Sequence, residues 1–364
     1  MSRVALVGCG VIAPTYARAS ELIEFMELAA CVDADPTRSA RLAETHSTRA
    51  LSLDELLSNA DVDVVVNLTP PAAHAAVSRA ALAAGLAVYS EKPLGLSVDE
   101  GAELVGLAAS GGVRLGCAPD TFLGTGLQTA RAAIDRGDIG EPLAANAFLL
   151  GAGPEWWHPN PEFFYCHGAG PLFDMGPYYI TALVHLLGAV RSVSGTARIS
   201  RTTREFRTDA RRGERFDVTV PSHVAGGLEF ETGPIATLVT SFDAWATDYR
   251  NIEVYGAEGT LFLPDPNTFD GPVQLQRSGQ LERIELEPVD VRMTQQRGIG
   301  LADMLWAART GRAHRASGEL ALHVLEVMSA TLESAESGHR VELTTTCARP
   351  APLPVGLPPN TFDD

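Results

Sequence analysis

The sequence predicts two domains of different class. Residues 1–120 read as an α/β Rossmann domain with a doubly wound parallel sheet. Residues 121–345 read as an α+β domain with a large, mostly antiparallel open sheet, and 346–364 as an extended, proline-rich tail. Three observations carry this. A glycine-rich turn joins the first apolar strand to a helical pattern. Short apolar runs then alternate with helical patterns up to residue 120, the signature of a parallel sheet. Beyond it, longer strand-like runs succeed one another with little helix between, as in an antiparallel sheet. At 364 residues the chain is long for one core, and ordinary domain sizes suggest about two.

Val4-Ala5-Leu6-Val7 is the first strand, followed at once by Gly8-Cys9-Gly10-Val11-Ile12-Ala13 and a helical pattern. This is G-x-G-x-x-A in its proper place. Gly8 permits the tight turn, Gly10 lets a pyrophosphate approach the backbone, and Ala13 allows close helix–sheet packing. The backbone around Val11 and Ile12, opening the helix, offers free N–H groups to phosphate. The second strand, Leu28–Val32, ends in Asp33, 20 residues beyond Ala13. A carboxylate there accepts hydrogen bonds from the adenosine ribose and repels a 2′-phosphate, which favours NAD over NADP. Arg38, nearby, suits stacking on adenine or helping a phosphate. Asp35-Pro36 opens the next helix. Val62–Leu68 is a third strand, ending at Thr69-Pro70-Pro71, and the helix 72–84 carries His74 in its first turn. Leu86–Tyr89, a helix over 97–109 and Val113–Cys117 complete the alternation.

The fourth strand runs into Glu91-Lys92-Pro93. Lys and Arg together number 28, and Lys92 is the sole lysine among them. The chain uses arginine for positive charge everywhere else. A lysine carries a compact ammonium whose pKa shifts on burial, whereas arginine stays charged and forked. A cation at a strand's carboxyl end in an open α/β sheet lies where such sheets bind ligands. The plain alternative is a stray surface lysine in an arginine-biased chain.

In the second domain, 122–135 reads as a helix, and 143–150, 192–199, 225–230, 235–242 and 252–263 as strands. Helices over 301–308 and 319–333 cover a sheet or return to the first domain. The segment from Glu155 to His167 packs five aromatics and two histidines into a loop. Trp157 and His158 are candidate sugar contacts, since aromatic faces suit the C–H faces of a sugar ring. A loop tucked onto the core or a subunit contact explains the same residues. Asp174 and Tyr178 lie four apart, with Thr181 and His185 continuing the stripe. Pro177 would delete a backbone bond from a helix interior, so a late helix start, with Asp174 just before it, is expected. Arg297, ahead of a further helix, is a candidate substrate contact.

A net charge of −17 argues against nucleic acid. Five scattered cysteines form neither a disulfide framework nor a metal spacing and suit a reducing cytoplasm. His158 and His167 lack metal-ligand spacing, so no metal is expected. The first strand begins by Arg3, leaving no room for a signal peptide, and no apolar run nears the ~20 residues of a membrane span.

Taken together, the chain resembles the Gfo/Idh/MocA family: glucose–fructose oxidoreductase, inositol dehydrogenases and relatives. The carriers are Gly8-x-Gly10-x-x-Ala13, Asp33, Thr69-Pro70-Pro71 with His74, and Glu91-Lys92-Pro93, followed by Gly168–Gly176 and Glu253–Leu261. The resemblance implies that the lysine of the E-K-P motif lies near the nicotinamide and the reacting hydroxyl, often before a cis-proline. It implies an acidic residue and, four residues later, a histidine or tyrosine completing the site: Asp174 and Tyr178. Thr69, Pro70, His74 and Glu91 join the cofactor set, and members often form dimers or tetramers through the open sheet. Two departures stand out. Thr181 stands where many relatives have aspartate, and Cys117-Ala118-Pro119-Asp120 replaces a usual Asn and Arg, leaving Asp120 as the candidate polar contact.

The expected activity is NAD-dependent oxidation or reduction of a secondary hydroxyl or ketone of a sugar or polyol. Tyr178 takes the proton, Lys92 favours the phenolate and the developing alkoxide, and Asp174 orients. Two alternatives stay open: an enzyme that retains its NAD through transient oxidation, and a non-catalytic dinucleotide sensor.

Overall fold

Short apolar runs, mostly buried, build a parallel sheet of β1 (Ser2–Val7), β2 (Met26–Val32), β4 (Val64–Asn67), β5 (Ala87–Ser90) and β6 (Leu115–Cys117), with the exposed two-residue β3 (Arg49–Ala50) at its edge. The structure is a computed structural model and describes residues 1–58, 61–249, 251–291, 296–356, 358 and 361–363. The strand order is β3-β2-β1-β4-β5-β6, so the order reverses between β1 and β4. That switch point is where open α/β sheets bind ligands. The connecting helices are α1 (Ala13–Leu22), α2 (Pro36–Thr45), α3 (Leu53–Ser58), α4 (Pro71–Ala83) and α5 (Val98–Gly111). Their starts follow from local chemistry. Asp35 accepts from Thr37 N at 3.0 Å with Pro36 at the first helical position, and Ser97 accepts from Glu100 N at 3.2 Å. Each such cap contributes about 1 kcal/mol. Gly112, at φ +64°, ends α5.

The second sheet is mixed, in the order β16-β15-β14-β13-β7-β12-β11-β8-β17. Its strands are β7 (Pro142–Leu150), β8 (Val190–Arg198), β11 (His223–Phe230), β12 (Ile235–Ser241), β13 (Ile252–Gly256), β14 (Gly259–Leu263), β15 (Gln274–Arg277), β16 (Ile284–Glu285) and β17 (Val341–Glu342). A separate hairpin pairs β9 (Thr203–Glu205) with β10 (Arg215–Asp217). The pairings are antiparallel except β7 with β12. α6 (Thr125–Asp135) and α7 (Gly170–Leu187) pack against this sheet. The later helices are α8 (Ile299–Thr310) and α9 (Gly318–Ser337).

Three sequence expectations need correction. The run 252–263 is a hairpin, not one strand: Val254 pairs back with Leu261 and Tyr255 with Thr260. Its alternation persists on both sides of the turn, so periodicity could not reveal the reversal. Helix α7 starts at Gly170 and runs through Pro177. The residue before the proline, Gly176, has no Cβ to clash with the ring, and the helix is buried along nearly its whole length, so packing offsets the lost bond. The third concerns the division. One compact unit comprises Met1–Gly124, Asp290–Leu325 and Pro350–Asp364; the other comprises Thr125–Val289 and Glu326–Arg349. The expected contiguous domains 1–120 and 121–345 therefore exchange their ends, because Leu322 of α9 packs into the first sheet's core. The described residues of the tail from Pro350 form no helix or strand, but the tail is packed: Phe362 is 1% exposed and stacks edge-on with Phe25 and near Trp306.

The tail is also tied through charge. Asp303, 0% exposed, accepts from Arg315 N at 2.7 Å and pairs with Arg312 Nη2 at 2.6 Å and Arg315 Nη1 at 2.5 Å. Arg315 in turn donates to the carbonyls of Ala351 and Pro352 at 3.1 Å each. Removing one partner of a buried pair leaves an uncompensated charge. Asp303→Ala is therefore expected to cost roughly 3–5 kcal/mol, read as a lowered urea midpoint for the transition of the first unit. An unchanged midpoint would show that the cluster is not stabilising.

Candidate active site

The turn after β1 is shaped by a close approach. Gly8 has φ +100°, and a Cβ there would lie 2.6 Å from the Leu68 carbonyl carbon and oxygen and 2.8 Å from Thr69 N. No side chain fits, so the turn closes against the end of β4. Gly10 faces open space, with nothing within 4 Å of an added Cβ, and Val11 is fully exposed at the start of α1. Asp33 ties the turn from the other side. Its Oδ2 accepts from Cys9 N at 2.7 Å and its Oδ1 from Asp35 N at 2.8 Å. Gly8, Asp33, Arg38, Thr69 and Pro70 line one cavity of 920 Å³, within the ~300–1,000 Å³ range of ligand sites. A carboxylate has about four lone-pair positions, so Asp33 keeps capacity for ribose hydroxyls. Arg38, in the same cavity lining, places its Nε 3.5 Å from Asp35 Oδ2. These features fit a dinucleotide: an open helix N-terminus, a Cβ-free approach and a fixed acid at the end of β2.

Glu91, Lys92 and Pro93 follow β5, and the Lys92–Pro93 bond is cis. Glu91 is held by Tyr16, whose hydroxyl donates to Oε1 at 2.9 Å, and its Oε2 accepts from Lys92 N at 3.2 Å. Burial, then the nearby Glu91 charge, pushes the Tyr16 phenol well above its ordinary pKa. His74 is 1% exposed and bridges two loops, with Nδ1 at 2.7 Å from the Pro93 carbonyl and Nε2 at 2.7 Å from the Thr69 carbonyl. Burial lowers its pKa, against the pull of the two carbonyls and Glu91. Since a carbonyl only accepts, a neutral ring leaves one nitrogen lone pair facing an oxygen; the bridge is fully made only when the ring is charged. In this structure His74 joins the Thr69 and Pro93 loops, rather than lining the cavity.

Asp120 is 0% exposed. Its Oδ2 accepts from Gly298 N at 2.8 Å and Gly300 N at 3.1 Å, at the start of α8, one residue after Arg297. Its Oδ1 has no hydrogen-bond partner among the described residues, and neither has the hydroxyl of fully buried Tyr89. Burial pushes the Asp120 carboxyl up to about 6, against the two glycine N–H groups and the Arg297 charge, and with the Glu91 charge.

In the second unit, Asp174, Tyr178 and Thr181 share one face of α7, at spacings of four and three. Asp174 is partly exposed; Tyr178 is 5% and Thr181 2% exposed. Asp174 is thus an interior helical residue, not a cap. The aromatic segment is not a featureless loop but two short 3₁₀ turns, Pro154–Trp156 and Pro161–Tyr165. Trp157 and His158 meet edge to face at 5.4 Å, and both rings lean on Phe164. Trp156 points elsewhere and meets Trp245 at 5.6 Å.

Sequence reasoning missed Tyr16, whose bond to Glu91 spans 75 positions, and the buried pair of Arg204 with Glu155 at 2.7 Å. No local pattern announces either. The Gly298-x-Gly300 start of α8 was the available hint of a backbone needing an acceptor.

The first domain matches the family described as an oxidoreductase family with NAD-binding Rossmann fold over residues 2–118, and the second the GFO/IDH/MocA C-terminal domain over residues 127–262. The chain belongs to the Gfo/Idh/MocA family of NAD(P)-dependent oxidoreductases. It is 26% identical to a 1,5-anhydro-D-fructose reductase of Ensifer adhaerens, over 95% of this chain and 99% of that protein. It is 27% identical to an NADP(+)-dependent D-xylose 1-dehydrogenase of Haloferax volcanii, over 87% and 92%. Among solved structures, an NAD binding oxidoreductase from Klebsiella pneumoniae shares the fold with a TM-score of 0.80 at 23% identity, covering 94% of this chain and 99% of that one. A levoglucosan dehydrogenase complexed with NADH and L-sorbose shares it with a TM-score of 0.79 at 20% identity, covering 95% and 99%.

Asp120 gives a pH prediction. Its folded pKa lies above the unfolded value of about 3.9, so ionising it costs folding free energy. Its contribution is most favourable below pH ~4 and is lost as pH rises through about 6, a change on the order of 3 kcal/mol. Asp120→Asn keeps an oxygen for both glycines and removes the titration. Denaturation midpoints from pH 4 to 8 should show the variant gaining on the wild type between pH 4 and 6.5, with a constant gap above. Parallel profiles would refute the assignment.

Proposed function

We propose that the chain transfers a hydride between NAD and a secondary hydroxyl or ketone of a sugar or polyol. Two features together carry this reading: Asp33, fixed by two backbone N–H groups in the crevice at the switch point, and Lys92, the sole lysine, after the end of β5. The names of the relatives point the same way: sugar reductases and dehydrogenases and an inositol 2-dehydrogenase. Both NAD and NADP occur among them, so the preference for NAD rests on Asp33.

The residues that hold the cofactor are the backbone at Gly10, Val11 and Ile12, the Asp33 carboxylate, and Thr69 and Pro70 across the crevice. The bound nicotinamide supplies the hydride acceptor or donor. The chain's own residues handle charge and protons. The Lys92 ammonium stabilises negative charge developing on the substrate oxygen. Tyr178 takes the hydroxyl proton, and Asp174 holds a neighbouring hydroxyl. Glu91, anchored by Tyr16, fixes the backbone on which Lys92 stands. Trp157, His158, Thr181, Arg297 and Asp120 complete the proposed substrate set, Asp120 acting through the segment that presents Arg297. No disulfide joins the five cysteines, which suits work in the cytoplasm. The small residues on the open face of the nine-stranded sheet, such as Ala144, Ala225 and Gly227, suit pairing of two copies into a dimer or tetramer.

A panel of inositols, aldoses and glycosides, read at 340 nm with NAD and NADP, should yield NADH with at least one substrate. With that substrate, Lys92→Arg should lower kcat by about a hundredfold or more, while NAD affinity stays within about twofold of wild type. Unchanged kcat in the variant, or a flat trace across the panel, would contradict the reading.

A further inference from the structure

A second, smaller cavity of 160 Å³ lies wholly within the second unit, just beyond the ends of β7 and β12. Its floor is charged and rigid. Arg204 and Glu155 are 5% and 6% exposed. Arg204 Nη1 donates to Glu155 Oε1 at 2.7 Å and to the Phe242 carbonyl at 3.0 Å, and Nη2 pairs with Asp243. The buried Tyr165 hydroxyl donates to Glu155 Oε2 at 2.7 Å. Gly153 presses on this network: a Cβ there would lie 2.4 Å from both Glu155 Oε2 and the Tyr165 hydroxyl. Arg204 Nε remains buried with no hydrogen-bond partner among the described residues.

The walls differ in kind. Trp156 and Trp245 meet edge-on at 5.6 Å and stay 47% and 68% exposed, an unusual expense of apolar surface. Arg201 and Arg215 are exposed and make no salt bridge among the described residues; Arg215 donates to Thr203 Oγ1 at 3.0 Å. With Arg204 and Arg207, four guanidinium groups line the cavity against three carboxylates. The excess is positive in a chain of net charge −17.

We propose that this cavity binds a single sugar ring carrying a carboxylate. The guanidinium fork matches a carboxylate in two-point geometry. The indole faces match the C–H face of a ring. A simple carboxylate leaves the tryptophans uncovered, and a neutral sugar leaves Arg201 and Arg215 without an anionic partner. The volume of 160 Å³ falls below the ~300–1,000 Å³ of larger ligand sites, which restricts the guest to one ring. Among the residues proposed for hydride transfer none lines this cavity, so the inference stands or falls independently of that reading.

The test uses the full chain without cofactor and follows tryptophan fluorescence. Sodium D-glucuronate is titrated against D-glucose and sodium acetate at matched ionic strength. Glucuronate should give a saturable change, with glucose and acetate at least about tenfold weaker. The double variant Arg201→Ala/Arg215→Ala, altered only at exposed positions, should lose about tenfold or more in glucuronate affinity while its NAD titration matches wild type. Glucose or acetate equalling glucuronate, no saturable change, or an unaffected double variant would each overturn the proposal. Loss of NADH production on every sugar would bear on hydride transfer alone and leave this result standing.

Discussion

The first unit depends on one steric fact: at Gly8 the chain has no room for a side-chain carbon. The end of β4 comes so near that a methyl group there would overlap the Leu68 carbonyl. That closeness turns the chain sharply out of β1 and leaves Gly10 and Val11 open to solvent at the head of α1. The same contact sets Thr69 beside the turn, while Asp33 clamps it from β2 through Cys9 N. The cavity at the switch point is thus a consequence of backbone packing, with few side chains needed to define it. Wherever such a turn opens a helix, free N–H groups and a favourable dipole come with it.

A second regularity is the use of buried or half-buried carboxylates to fix irregular backbone. Asp33 accepts from two backbone N–H groups, Asp120 from two at the start of α8, and Glu326 from Thr344 N and Thr345 N. Asp303 and Glu155 do the same work through arginine. Loops near ligand sites cannot satisfy their own backbone, and each orphan donor is costly when buried. Carboxylates supply strong acceptors there. Asp120 bears a cost for this role, since burial raises its pKa against the two glycine N–H groups and the Arg297 charge.

Much of the first domain was legible because its signals are local. A period of one strand and one helix, a glycine turn and an acid at the end of β2 can each be read within a few residues. The second domain was less so. The hairpin at Ala257-Glu258 keeps the same alternation on both sides, and Pro177 obeys packing rather than propensity. The return of Leu322 and Phe362 to the first unit is a long-range event that sequence order conceals. At the site, residue types chosen by chemistry, such as Lys92 and Asp33, were visible as exceptions to composition or as members of a spaced pattern. The supports were not: Tyr16 for Glu91 and Gly298 with Gly300 for Asp120 owe their partners to the fold. Asp120 shows the limit clearly, since the sequence offered it as a candidate polar contact but could not show its Oδ2 committed to backbone.

The proposed preference for a dinucleotide without a 2′-phosphate rests on the turn at Gly8, clamped by Asp33. Isothermal titration of the chain with NAD and with NADP under identical salt tests it most directly. The account predicts saturable binding of NAD, with NADP weaker by about tenfold or more, as expected for a phosphate brought against a fixed carboxylate. Tighter binding of NADP, or no binding of either, would contradict it.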